Sequence, residues 1–188
     1  MVRPARKEDI PEMLAIYAPY VEHTTVSFEY TPPSEEEFTR RFETITRRFP
    51  WLVWEEEGRV TGYAYASAPF TRAAYQWCAE PSVYLLPQAQ GRGAGTRLYR
   101  ALEKILSMQG YQVMYALVSE NNEKSLYFHT KNGYKTVGFL EKCGYKFEKW
   151  TGLYWLEKRL DFVENPSLPS ASWSEIIQNK QNLDDILM

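Results

Sequence analysis

The most constraining feature of this sequence is a glycine-rich turn, Gly91-Arg92-Gly93-Ala94-Gly95, which follows an apolar segment and precedes apolar residues at helical spacing. Glycine reaches positive φ without steric cost, so such a segment can curl tightly and leave its N–H groups uncovered. A helix that begins here adds unpaired N–H groups and the positive end of its dipole. The turn therefore predicts a strand–loop–helix unit that can hold a pyrophosphate.

Length, charge and cysteine usage narrow the class of protein. A chain of 188 residues with 44% hydrophobic and 24% charged residues is typical of one globular domain. A net charge of −2 argues against nucleic acid or an anionic membrane as the main partner. No apolar run approaches the ~18 residues of a membrane span, and no signal peptide is visible. Cys78 and Cys143 form no CxxC pair. We therefore expect a cytoplasmic protein without a metal site.

Hydrophobic periodicity predicts an α/β (α+β) domain with the element order β-α-α-β-β-β-α-β-α-β-β. Asp9 and Ser34 are candidate N-caps for two helices, the second running to about Arg48. The remaining helices are expected after the glycine turn and after Asn121 or Asn122. The predicted strands after the first are Trp51–Glu56, Arg59–Ser67, Val83–Leu86, Val113–Val118, Lys135–Phe147 and Trp150–Leu160.

The amino-acid composition of the chain changes from about Val163 onward. We expect one domain over residues 1–162 and a C-terminal extension over residues 163–188. The extension begins with a Pro- and Ser-rich linker and continues with a capping box from Ser172 to Glu175. Either a short amphipathic helix or a frayed tail fits this pattern.

Two other phosphate-binding patterns compete for the glycine turn. A dinucleotide-binding unit places its turn early in the chain and an acidic residue about 20 positions on, and Glu120, about 25 residues on, leaves that alternative open. A Walker A loop requires lysine before Ser or Thr, whereas this turn has Gly95-Thr96.

The spacing Gln90-x-x-Gly93-x-Gly95 between a strand and a helix resembles motif A of the GNAT acetyltransferase superfamily, whose loop binds the pyrophosphate of coenzyme A. Two further blocks resemble the branch of phosphinothricin acetyltransferases and L-amino-acid N-acyltransferases. They are Tyr75-x-Trp77-x-x-Glu80-x-x-Val83-Tyr84 and Asn122-x-x-Ser125-x-x-x-His129. The resemblance covers about residues 1–160 and implies a central mixed, mostly antiparallel sheet flanked by helices.

The resemblance also implies which residues hold acetyl-CoA, the expected co-substrate. The backbone of a strand is expected to bind the pantetheine arm, and the glycine turn the pyrophosphate. Asn122 is expected to bond the pantetheine, although a simple helix cap is the alternative. The expected cofactor-binding residues are Val83, Tyr84, Leu85, Gly91, Arg92, Gly93, Ala94, Gly95, Thr96, Asn122 and Ser125.

For catalysis, the resemblance implies Glu80 as general base, acting directly or through a water, and His129 as proton donor to the departing thiolate. The alternatives are an edge-strand glutamate and a structural histidine. Phe28, Arg72 and Tyr75 are expected to bind the acceptor, with Arg72 capturing an acid group unless it is only a surface cation.

The expected activity is transfer of acetyl from acetyl-CoA to the amine of a small amino-acid-like substrate, by direct attack in a ternary complex. Phosphinothricin and methionine sulfoximine are the type substrates of the branch. The alternatives are another amine, such as a protein N-terminus, or a non-catalytic acetyl-CoA-binding module. The resemblance also implies a possible homodimer.

Overall fold

The computed structural model describes residues 1–167, 169 and 172–178. The strands are β1 (Val2–Pro4), β2 (Trp51–Glu56), β3 (Arg59–Ser67), β4 (Cys78–Leu85), β5 (Val113–Ser119), β6 (Lys135–Lys146) and β7 (Lys149–Arg159). The α-helices are α1 (Ile10–His23), α2 (Glu35–Ile45), α3 (Ala94–Met108), α4 (Glu123–Lys131) and α5 (Trp173–Gln178).

The strands form one sheet with the order β1-β2-β3-β4-β5-β7-β6. All neighbouring pairs in this sheet are antiparallel except β4 and β5, which are parallel. The predicted fold class and element order are therefore confirmed.

Side chains that alternate along the strands pack into two hydrophobic cores, one on each face of the sheet. Trp51 and Val53 of β2 pack with α1 and α2, whereas Leu52, between them, packs with α3. This is the period-2 alternation of a strand that is buried on both faces. The central strands are thus fixed from both sides, and the site described below lies between two of them.

The hairpin between β2 and β3 has the predicted bounds. Glu57 and Gly58 both have positive φ, 50° and 77°, as a two-residue turn with the twist of a hairpin requires. Other bounds differ from the predictions. Helix α2 ends at Ile45 rather than near Arg48, and β4 begins at Cys78 rather than Val83. The polar and proline residues at the start of β4 obscured its strand character.

The C-terminal segment contacts the rest of the chain. Ser172 and Glu175 form the predicted capping box, with the Glu175 carboxylate 2.9 Å from the Ser172 N–H and the Ser172 hydroxyl 3.3 Å from the Glu175 N–H. Trp173 and Ile176 of α5 are buried in the same core as α3. Residues 168, 170, 171 and 179–188 of the predicted extension lie outside the described residues.

Candidate active site

The site begins where two parallel strands separate. In the described structure β4 and β5 pair at Cys78 with Val113 and at Ala79 with Met114. Beyond these pairs β4 follows β3, and β5 follows β7. The divergence opens a cleft of about 240 Å³ in the middle of the sheet.

The walls of the cleft come from the two diverging strands and from α4. Residues 80–84 of β4 form one wall and residues 116–119 of β5 the other. Asn122, Ser125 and His129 close one end. The structure therefore brings together Glu80, His129 and the start of α4, which are separated by about 40 to 50 residues in sequence.

The free edge of β4 presents backbone groups to this cleft. Leu86 donates its N–H to Thr61 across β3, and successive residues of a strand turn their N–H groups to opposite edges. Leu85 and Val83 therefore face the cleft, whereas Tyr84 bonds toward β3. Val83, Tyr84 and Leu85 were all predicted to offer backbone groups to an extended ligand. The register turns the N–H groups of Val83 and Leu85 toward the cleft, whereas the Tyr84 N–H is used in the sheet.

Tyr20 on α1 fixes the end of this edge, which sequence reasoning missed. Its hydroxyl donates to the Leu85 carbonyl at 2.6 Å, and it lies 3.4 Å from the Leu85 nitrogen. The ring packs against the ring of Tyr84 with centroids 5.3 Å apart. The edge of β4 that faces away from β3 is thereby held at Leu85 by a side chain.

The glycine turn has the geometry of an anion cradle. Gly91 and Gly93 have φ of +72° and +86°, and a Cβ added at either position would meet no other atom within 4 Å. Gly93 is the N-cap of α3, so the first N–H groups of this 15-residue helix, at Ala94 and Thr96, point into the turn. This geometry fits a pyrophosphate, because an anion there meets several N–H donors and the helix dipole.

Two other residues of the turn differ in their surroundings. A side chain at Gly95 would place its Cβ 3.3 Å from Leu85 and 3.6 Å from Phe128, so a glycine lets α3 approach β4. Arg92 is exposed, with its guanidinium 3.9 Å from the Glu56 carboxylate. At this distance and exposure the ion pair restrains Arg92 only weakly.

Glu80 is the acidic group of the cleft. It follows fully buried Ala79 on β4 and precedes buried Pro81. No hydrogen bond or ion pair to its carboxylate exists among the described residues, so burial alone raises its pKa above the ordinary range. A carboxyl group of this kind holds and releases a proton closer to neutral pH than an exposed glutamate does.

His129 is buried, with 5% of its surface exposed, and both ring nitrogens have partners. Nδ1 lies 2.8 Å from the Ser125 carbonyl, which can only accept, so Nδ1 carries the proton. Nε2 lies 2.8 Å from the Tyr99 hydroxyl and, with the proton on Nδ1, accepts a hydrogen bond from it. Burial lowers the pKa of the imidazole and favours this neutral form.

Asn122 and Ser125 begin α4 at the end of the cleft. The Asn122 side-chain oxygen accepts the Ser125 N–H at 3.1 Å, so Asn122 is the helix N-cap. Its side-chain NH₂ has no protein partner in the described part of the chain. The cap and the ligand contact predicted from the sequence use different atoms and are therefore compatible.

The structure brings one of the three predicted acceptor residues to the cleft. Phe28 lines it, together with Val26, which the sequence did not reveal. Arg72 and Tyr75 do not line it, because their segment lies before the strand pairing at Cys78, and the Tyr75 ring packs on Phe70 with centroids 4.4 Å apart.

Ser119, at the end of β5, was also missed from the sequence. Its hydroxyl lies 2.9 Å from that of Thr25, which ties the segment carrying Val26 and Phe28 to the wall of the cleft. A serine after a predicted buried strand gives no signal of this contact, because the partner is 94 residues away.

Over the described residues, no helix is long and apolar enough to cross a bilayer. Within the same part of the chain, no group of three His, Cys, Asp or Glu side chains is placed to hold a metal ion.

Comparison with known proteins identifies the family. Residues 2–155 match the acetyltransferase (GNAT) domain. The chain belongs to the GNAT acetyltransferase family. The resemblance read from the glycine turn is thus confirmed, and the separated strands and glycine cradle of this GNAT domain are the elements expected to hold acetyl-CoA.

Three relatives of this GNAT domain are informative. Phosphinothricin N-acetyltransferase of Streptomyces viridochromogenes is 36% identical over 79% of this chain and 81% of its own. The L-methionine sulfoximine/L-methionine sulfone acetyltransferase of Pseudomonas aeruginosa PAO1 is 32% identical over 85% of this chain and 94% of its own. The solved phosphinothricin acetyltransferase of Sinorhizobium meliloti, in complex with acetyl-CoA, is 31% identical with a TM-score of 0.86, over 93% of this chain and 96% of that one.

Proposed function

We propose that this protein transfers an acetyl group from acetyl-CoA to the amine of a small amino-acid-like substrate of the phosphinothricin or methionine sulfoximine type. The observation that carries the proposal is the cleft between β4 and β5, which has the half-buried Glu80 carboxylate on one wall, with the glycine turn packed against Leu85 at the end of β4. The names of the relatives support the substrate class.

The proposed cofactor contacts follow from the groups that face the cleft or the glycine turn. The N–H groups of residues 91–96 hold the pyrophosphate, and Arg92 is free to add a charge-assisted contact. Val83 and Leu85 pair with the pantetheine arm as a strand would, and Asn122 and Ser125 bind it from α4. Acetyl-CoA supplies the activated acetyl thioester when bound.

Glu80 is the proposed general base. A substrate amine enters as an ammonium and must lose a proton before it can attack a carbonyl carbon. The Glu80 carboxylate accepts that proton, directly or through one water, and burial raises its pKa toward the working pH. The outward N–H of Val83 is suited to polarise the thioester carbonyl, whereas that of Leu85 already meets the Tyr20 hydroxyl.

His129 requires a revised proposal. The acid role expected from the sequence needs a transferable proton, whereas the neutral ring has its N–H on the Ser125 carbonyl and its lone pair on Tyr99. We therefore propose that His129 positions Ser125 and the first turn of α4 against the cofactor arm.

The acceptor is proposed to lie against Val26 and Phe28. Arg72 remains the proposed partner of its acid group, with Tyr75 beside it. This is supported by chain geometry, because their segment leaves β3 at Ser67, which pairs with Glu80 across the sheet. The exposed Arg72 side chain can adopt the extended conformations such a contact needs.

The test is release of free coenzyme A thiol from acetyl-CoA with a panel of amines. The panel contains phosphinothricin, methionine sulfoximine, methionine sulfone, the free amino acids and a peptide with a free N-terminus. We expect release with one or more of the small acids and none with the peptide. Release with the peptide alone would favour a protein N-terminus as acceptor, and acetyl-CoA binding without any release would favour a non-catalytic module.

We also propose that a second copy of the chain covers β6, which forms one edge of the sheet. Val137, Phe139 and Leu140 on this strand are 43–56% exposed, an unusual amount of apolar surface for a strand edge. Light scattering after size exclusion should give the mass of a dimer, and Leu140→Glu should give that of a monomer.

The free thiols of Cys78 and Cys143 suit a reducing compartment, and we propose the cytoplasm.

A further inference from the structure

The wall that carries Val26 and Phe28 belongs to a long connection between α1 and α2. Residues 24–34 of this connection form neither helix nor strand, so backbone hydrogen bonds of regular structure do not fix their shape. Their position must come from contacts with other elements.

Lys146, the last residue of β6, makes the central contact. Its side chain is buried with 3% of the residue exposed, and its Nζ donates to the carbonyls of Val21, Thr24 and Ser27 at 2.6, 2.8 and 2.7 Å. An ammonium group has three N–H donors, and here all three are used on one segment. The cation also meets the negative end of the α1 dipole.

The burial of this ammonium needs a reason. Removing a charge from water is costly unless several good hydrogen bonds replace the lost hydration, and burial lowers the pKa of Lys146 accordingly. The carbonyls it binds span the end of α1 and the residues that lead into the cleft. A positive charge placed there orders the backbone of residues 21–27 as one unit.

Two neighbours of Lys146 act on the same segment. A Cβ at Gly144 would lie 2.3 Å from the Phe28 ring, so the glycine leaves the space that this ring occupies. The Tyr145 carbonyl accepts the Tyr30 hydroxyl at 2.5 Å. The end of β6 thus holds the segment at Phe28, at Tyr30 and, through Lys146, at Ser27.

We propose that Lys146 is a positioning residue for the acceptor: its three carbonyl contacts set the place of Val26 and Phe28 in the cleft and thereby the acceptor affinity and selectivity. The inference rests on the proposed function. Lys146 itself does not line the cleft, so it acts on the acceptor through the segment that carries Val26 and Phe28.

The experiment compares Lys146→Met, which keeps the length of the side chain but has no donors, with Lys135→Met, an exposed lysine of the same strand. Lys146→Met should raise the acceptor KM by on the order of tenfold, with kcat and the acetyl-CoA KM changed less than about threefold. Amide hydrogen exchange of residues 24–30 should be faster than in wild type. Lys135→Met should match wild type in all of these.

Gly144→Ala is the second variant, because it displaces the Phe28 ring without leaving a buried group unpaired. It should give the same rise in acceptor KM, and it decides the matter if Lys146→Met does not fold. An unchanged acceptor KM in either folded variant, or an equal rise in both KM values, overturns the inference. Wild-type protein without turnover on any amine would instead refute the proposed function, and exchange of residues 24–30 would still report on Lys146.

Discussion

Ala79 lies opposite Met114 in the last register pair that joins β4 to β5, and the very next residue of β4 is Glu80. The strands therefore separate at the residue that carries the acidic group of the cleft. The separation exposes the backbone edge of β4, while the start of the strand still fixes Glu80 between buried neighbours. One feature of the sheet thus supplies both an open backbone edge and an acidic group with a raised pKa.

Replacing Glu80 by Gln should raise stability at neutral pH. Burial raises the pKa of Glu80 in the folded state, so the folded protein binds more protons than the unfolded chain between the two pKa values. The contribution of Glu80 to stability is complete below the unfolded pKa and is lost as the pH rises through the folded pKa. Gln does not titrate.

We therefore expect Glu80→Gln to melt at a higher temperature than wild type at pH 8, with the difference shrinking toward pH 4. Melting curves at several pH values measure this. A variant that is less stable than wild type at pH 8 would mean that the ionised carboxylate has a stabilising partner.

The pH dependence of turnover separates the two roles of His129. The pKa of this residue lies below the ordinary value of about 6.5. If His129 acted as an acid, kcat would therefore fall as the pH rises, with an inflection below about pH 6.5. The positioning role predicts no such limb. We expect His129→Asn to raise the acetyl-CoA KM and to leave the shape of the profile unchanged. A falling limb in wild type that disappears in His129→Asn would restore the acid assignment.

Gly93→Ala should weaken acetyl-CoA binding. The φ of +86° at Gly93 costs a side-chain-bearing residue about 1 kcal/mol or more, and relaxation of that strain would turn N–H groups away from the cradle. Gly110→Ala is the matched control, because Gly110 has φ of +89° at the other end of α3. Calorimetry should show a higher Kd for acetyl-CoA in Gly93→Ala and an unchanged Kd in Gly110→Ala. An equal rise of Kd in both variants would mean that backbone strain anywhere in the helix weakens binding, and not the shape of the cradle.

Trp173→Ala should destabilise the domain by about 3 kcal/mol, because it leaves a cavity in the core that α5 shares with α3. Both KM values should stay near those of wild type, since α5 lies away from the cleft. Thermal melts and steady-state kinetics check the two parts. A melting temperature equal to that of wild type would show that the extension is a passive tail.

The sequence predicted those parts of the fold and site that rest on local signals. Glu57-Gly58 between alternating strands placed the hairpin to the residue, and three glycines marked the cradle. Features that depend on contacts between distant residues were not predicted. The Tyr99 hydroxyl, 30 residues from His129, fixes the protonation state of that ring, and the sequence around His129 does not indicate this contact.

The same limit applies to the acceptor side. Lys146 looks like one of many polar residues on an exposed strand, yet it meets carbonyls about 120 residues away. Arg72 was expected at the acceptor because it precedes Glu80 in the same loop, yet its side chain does not line the cleft. Register and tertiary contacts, which propensity does not encode, decide both cases.

The most direct test of the proposed mechanism is the pH profile of kcat/KM for the acceptor in wild type and in Glu80→Gln. Glu123→Gln, an exposed glutamate in the first turn of α4, is the control. Wild type and control should rise to a plateau with an inflection above the ordinary glutamate pKa of about 4.3. Glu80→Gln should lose on the order of 10²-fold in kcat or more and the inflection with it, at an unchanged Kd for acetyl-CoA. Wild-type turnover in Glu80→Gln would contradict the assignment of Glu80 as the base.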